Sequence, residues 1–159
     1  MKNNLKALIL HLIIVILSII FLIIFVATGP KIGQYATNVI SRLFIGITFL
    51  FVYIFMGTFL DKDRSKKYDF FTGCFIAVIG IALWYYTFLI TGKHLFEIPK
   101  DMSEYWILMN VYHSPFILIN FLFELPYTPL VSLIMNFFPT LLMGIGLKYK
   151  RFRSVQTTN

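Results

Sequence analysis

A chain of 159 residues that is 58% apolar and 13% charged, with a formal net charge of +7, lies outside the composition of soluble domains. Its long apolar runs exceed what one small aqueous core can bury, so a bilayer is their natural solvent. The one cysteine, Cys74, sits inside an apolar run, which excludes an intramolecular disulfide framework.

The first run, 7–28, holds no Asp, Glu, Lys or Arg and stops at Gly29-Pro30. It is longer than the roughly 7–15 apolar residues of a cleaved leader, so it reads as an uncleaved span. Runs 43–60, 70–91 and 130–147 follow, each near the ~20 residues that cross about 30 Å of hydrocarbon. The second has room to begin before Arg42, whose guanidinium would reach for headgroup phosphates. The expected fold is one all-α membrane domain of four transmembrane helices.

Charge orients it. With the N-terminus inside, segments 1–6, 61–69 and the basic tail 148–159 hold ten of the fourteen Lys and Arg, leaving Lys31, Arg42, Lys93 and Lys100 outside. The acids Asp61, Asp63 and Asp69 are inside; Glu97, Asp101, Glu104 and Glu124 balance the outer cations. The whole net charge then faces the cytoplasm, as expected of a multi-pass plasma-membrane protein with both termini inside. Counting 105–123 as a fifth span would leave six basic residues inside and eight outside, against that tendency.

Segment 102–124 is instead expected as an outer, broken helical segment. Asp101 and Glu104 fit a capping box that would start a helix running to His113. Ser114 would cap a second helix with Pro115 at its first position, ending near Glu124. Ordinary amphipathicity lays both halves in the outer headgroup layer, with Tyr105, Trp106, Tyr112 and Tyr127 as interfacial aromatics. The alternative is a re-entrant hairpin broken at mid-depth, where Ser114 would offer a helix N-terminus to an anion. Asn110, His113, Ser114, Asn120 and the fourth-span Asn136, near the kink expected at Pro139, are the candidate polar or ligand site.

Other candidates have plainer readings. His11 and Ser18 share a face of the first span, which suits contact with neighbouring helices. Gly73, Ala77 and Gly80, on one stripe with Trp84, suit close helix packing, as do Gly144 and Gly146. Trp84-Tyr85-Tyr86 reads as an interfacial aromatic belt. His94, Glu97, Asp101 and His113 lack the spacing of established zinc sites, and no cofactor motif occurs. The basic patches, Lys62, Arg64, Lys66 and Lys67 with Lys148, Lys150, Arg151 and Arg153, follow from topology and from anionic inner-leaflet lipid. Docking of an acidic cytoplasmic protein could overlie that; nucleic acid is a weaker fit.

The four spans contain no Asp or Glu, which removes the usual intramembrane site of a proton- or cation-coupled carrier. No nucleophile has an identifiable base. The leading expectation is a non-enzymatic, oligomeric membrane subunit acting with a partner, of the kind found in bacterial immunity, stress or phage-defence systems. The bacterial source is suggested only by an Ile-, Phe-, Lys- and Asn-rich composition. A small channel or carrier built on the Ser114-Pro115 break and the Asn136/Pro139 kink is the alternative. A lipid-modifying enzyme using His94, His113 and the outer acids ranks third.

Overall fold

The computed structural model describes residues 2–29, 38–62, 66–92 and 94–156, the side chains of 66, 67 and 155 excepted. Those residues are mostly helical, without strands among them. Helix α1 spans Lys2–Ala27, α2 Val39–Gly57, α3 Cys74–Ile90, α4 Ile107–Tyr112, α5 Ser114–Leu122, α6 Pro129–Met135 and α7 Phe138–Gln156. Short 3-10 helices cover Lys66–Phe71 and Lys100–Trp106. Three helices are long and apolar enough to cross a membrane: Lys2–Ala27, Val39–Gly57 and the kinked column Pro129–Ser154. The 17-residue α3 is apolar but shorter, with ~26 Å of rise.

Local chemistry sets several boundaries. The second run starts earlier than position 43 because Asn38 caps α2, its side chain accepting from the Ile40 amide at 2.9 Å. The third run does not form one helix over 70–91. Gly73 adopts φ 110°, a conformation only glycine takes without strain, and it separates the 3-10 turn from α3. Both its backbone groups are held: its amide donates to Asn4 Oδ1 at 2.9 Å, and its carbonyl accepts from Thr140 Oγ1 at 3.1 Å. Gly73 is therefore a turn residue ahead of α3 rather than part of its helical stripe. The fourth run breaks at Asn136 and Phe137, whose amides bond three residues back, just before Pro139, which has no amide hydrogen. Helix α7 then runs on through the basic stretch to Gln156, so most of the expected tail is helical.

Polar contacts gather the segments at two ends. At one, Asn3 Nδ2 donates to the Asp61 carbonyl at 2.7 Å and Asn3 Oδ1 accepts from the Asp61 amide at 3.1 Å. Lys6 pairs with Asp61 at 3.2 Å, and Lys150 Nζ donates to the Leu60 carbonyl at 2.7 Å. Arg151 Nε lies 2.9 Å from Asp69 Oδ2. At the other end Arg42 pairs with Glu124 at 3.2 Å, and Trp84 Nε1 donates to the Pro129 carbonyl at 2.7 Å. The two ends of the described chain thus lie at the same end of the bundle.

Between the ends, α2 and α7 touch backbone to backbone. A Cβ on Gly57 would collide with the Met143 carbonyl, and one on Gly146 with the Ile54 carbonyl. Ala7, Ile14, Tyr53, Ile76, Met143 and Leu147 form the middle of the core. The flanks of α1 and α2 stay uncovered and apolar: Ile16, Ile23, Val26, Phe44 and Phe51 are at least half exposed. Such a surface suits hydrocarbon rather than water.

The segment expected outside the bundle packs inside it. Helix α5 lies against α1 and α2, and α4 against α3 and α1. Trp106, Tyr112, Phe116 and Leu118 are buried, so Trp106 and Tyr112 are core residues rather than interfacial aromatics; Tyr105 remains exposed. The Asp101 capping box is not formed. The chain makes a 3-10 turn after Pro99 without a side-chain cap, and Ser103 Oγ bonds back to the Lys100 carbonyl at 3.0 Å.

Candidate functional site

The break between α4 and α5 brings His113 and Ser114 into the bundle interior. Both are buried, as are Ser18, Ser132 and Asn136. His113 Nε2 lies 3.0 Å from Asn136 Oδ1, so the break in one helical pair meets the break in the other. Asn136 Nδ2 donates to the carbonyls of Ser132 (3.1 Å) and Leu133 (3.2 Å), which fixes Oδ1 as the atom facing the imidazole. Nε2 is then the donor and Nδ1 the acceptor. Ser132 Oγ stands 3.4 Å from Nδ1 and accepts from the Tyr127 hydroxyl at 3.0 Å. The donors all run one way, from Tyr127 through Ser132, His113 and Asn136 to backbone carbonyls. Burial pushes the Tyr127 hydroxyl up to about 12, while its bond to Ser132 pulls it down, so it stays a donor at neutral pH.

Ser114 does not cap α5. Its Oγ lies 2.6 Å from Ser18 Oγ, and both hydroxyls reach the Val15 carbonyl, at 3.2 and 2.8 Å. The amides of Phe116 and Ile117 bond to the His113 carbonyl at 2.8 and 2.9 Å. The helix start that would have offered N–H groups to an anion has thus spent them locally. A third contact joins His11 Nδ1 to the Tyr53 hydroxyl at 2.9 Å, with Tyr112 edge-on to the His11 ring and donating to the Ile76 carbonyl at 2.7 Å. Both residues of the expected first-span seam, His11 and Ser18, therefore face neighbouring helices.

Of the five candidate polar residues, His113, Ser114 and Asn136 enter this interior. Asn110 and Asn120 do not join its bonds; Asn110 Oδ1 and Asn120 Nδ2 are buried without hydrogen-bond partners among the described residues. Ser132 and Tyr53 were not singled out from sequence, and Tyr127 was expected only as an interfacial aromatic. Ser132 had a signal, since it lies one turn before Asn136 on the same helical face.

Gly80 lets neighbouring segments approach closely at the site. A Cβ there would run into Asn136 Oδ1 and come within 3.0 Å of the Tyr112 ring. Ala77 is buried on the same helix. Trp84 is not part of a belt: it is buried, bonded to Pro129 and stacked on Phe88 at 4.6 Å between centroids. Tyr85 and Tyr86 are exposed, as a belt requires. His94 and Glu97 are exposed while His113 is interior, so the loop acids and histidines do not converge; among the described residues, no three His, Cys, Asp or Glu side chains come together.

The basic residues divide. Arg151 turns inward to Asp69, and Lys148 sits over the Phe70 ring at 5.9 Å. Lys62, Lys150 and Arg153 border an open cleft of about 450 Å³. Arg64 lies outside the described residues, as do the side chains of Lys66 and Lys67.

No protein-family model matches the chain, and no curated protein or solved structure matches it either.

Proposed function

We propose that the chain is a four-span plasma-membrane protein with both termini cytoplasmic and 107–122 as a re-entrant hairpin. It works as a non-enzymatic subunit, self-associating and engaged with a partner protein. One observation carries the reading. The polar side chains placed to handle a solute, His113, Ser114, Ser132 and Asn136, are at most 3% exposed and bonded to one another or to backbone. Buried networks satisfied in this way fix a unique arrangement, and they leave none of these four side chains waiting for a substrate.

The topology is supported by charge and by length. The end that gathers Asn3, Asp61 and Arg151 belongs to the segments holding ten of the fourteen basic residues. Helix α3, with the 3-10 turn before it, approaches the thickness of the hydrocarbon layer. Non-helical backbone at membrane depth is tolerated when protein surrounds it, as at His113.

Cysteines placed singly in a Cys74→Ala background test the topology. Ser103→Cys should react with an impermeant maleimide from outside, and Ser114→Cys should stay protected until the protein is denatured. Equal labelling of the two would end the re-entrant arrangement. For the subunit role, the tagged protein in mild detergent should run as a complex larger than a monomer or bring a cytosolic protein with it; a lone monomer would overturn it.

A channel or carrier is the second reading, favoured by the direct bond between the two helix breaks. Discontinuous helices that meet inside a membrane commonly mark solute sites. Liposome flux lost on changing Asn110, His113 or Asn136 to Ala would favour it, and unchanged flux in all three would remove it.

A further inference from the structure

The cleft beside the C-terminal half of α7 differs from the rest of the basic surface. It is lined by Phe55 and Thr58 at the end of α2, by Lys62, and by residues of α7 from Tyr149 to Ser154. Helix α7 continues past its apolar stretch, so Tyr149 and Arg153, four residues apart, line up on one face with Lys150 between them. The lining thus combines three basic side chains with two aromatic rings, Phe55 and Tyr149, each more than half exposed, and includes no acid among the described residues. Lys150 is fixed at the site by its bond to the Leu60 carbonyl, which uses one of its three N–H donors.

We propose that this cleft binds the phosphate headgroup of an anionic membrane lipid. The basic residues begin directly after the apolar stretches of α2 and α7 end, which is where headgroup phosphates lie against a membrane helix. The volume, about 450 Å³, exceeds what a bare phosphate fills and suits a phosphate with its glycerol. The exposed rings of Phe55 and Tyr149 give the glycerol and first acyl carbons an apolar wall, which an acidic soluble protein would not need. A lysine already held in place lowers the ordering cost of binding.

The inference rests on the membrane reading above but not on its sidedness, because binding in detergent can be read without topology. Native mass spectrometry of the full chain, titrated with phosphatidylglycerol or phosphatidylcholine, is the test. The anionic lipid should be retained preferentially. The pair Lys62→Gln and Arg153→Gln should weaken its binding roughly 30-fold, the equivalent of about 1 kcal/mol for each basic residue. The pair Lys2→Gln and Lys148→Gln removes the same charge outside the cleft and should retain most of the binding. Wild-type elution of both pairs in mild detergent controls for folding. Equal weakening by the two pairs, or indifference between the lipids, overturns the site. Displacement by millimolar inorganic phosphate would reassign it to a soluble anion, and displacement by an acidic peptide to a protein partner.

Discussion

Placing a methyl group at the α2–α7 crossing should be costly, and the structure sets the scale. A Cβ on Gly57 would lie 2.8 Å from both the carbonyl carbon and Cα of Met143, and closer still to its oxygen. Carbon atoms pack at about 3.5–4.0 Å, so the helices must part by ~1 Å. The obstruction is backbone, which cannot rotate away as a side chain can. Gly146 faces the Ile54 carbonyl in the same way. Overpacking of this kind costs about 1–3 kcal/mol, which at roughly 2–4 °C per kcal/mol is several degrees of melting temperature. Gly46 and Gly29 are internal controls. A Cβ on Gly46 meets only the Phe123 ring, at 3.1 Å, and one on Gly29 meets nothing within 4 Å. Thermal unfolding in mild detergent, followed by loss of the folded peak on size exclusion, should rank Gly57→Ala and Gly146→Ala as most destabilised, Gly46→Ala next and Gly29→Ala unchanged. If Gly57→Ala melts with the wild type, α2 and α7 do not cross as described.

Two further predictions use the same assay. Asn136→Ala should cost ~0.6–2 kcal/mol, because it unpairs His113 Nε2 and removes bonds that close the α6–α7 break, while Asn110→Ala, whose Oδ1 has no partner, should cost less; the reverse order would deny the network its structural role. Arg151→Ala should cost about 3–5 kcal/mol by stranding Asp69, whose side chain is 2% exposed, and Asp69→Asn in the same chain should recover part of the loss. Arg42→Ala, facing a Glu124 side chain that is 77% exposed, should cost no more than ~1 kcal/mol of ion-pair energy; comparable losses at the two arginines would contradict the burial described.

Hydropathy located the apolar columns well because a lipid-facing helix such as α1 is apolar on most of its surface. It could not place the α4–α5 segment. A short apolar helix with a few polar residues has the same composition whether it lies on headgroups or inside protein, and only its partners decide. Those partners, Ser18, Ser132 and Asn136, are distant in sequence from Ser114 and His113. The Ser114-Pro115 break was legible from proline chemistry, but the role given to Ser114 was not. A serine before proline suits an N-cap, yet the Val15 carbonyl and Ser18 hydroxyl offered buried partners instead. Gly73 and Gly80 were readable as important, but a stripe of small residues does not say whether each position admits a helix, a turn or a single amide side chain. Gly57 was passed over because its counterpart, Gly146, lies nearly ninety positions away.

The seating of α4 and α5 also imposes an order on synthesis. Helices α1 to α3 are made first and must leave a groove into which α4 and α5 can turn, with Ser18 and His11 facing it. The groove is closed only by α6 and α7, the latter ending at Gln156, 34 residues after Leu122. At ~5–20 residues per second that interval is about 2–7 s. Asn136 itself comes 14 residues after Leu122, so for about 0.7–3 s His113 has no Asn136, and the nascent protein holds an unsealed polar groove. This is the stage at which membrane quality control would have most to recognise, and at which a slow or truncated fourth column would do most harm.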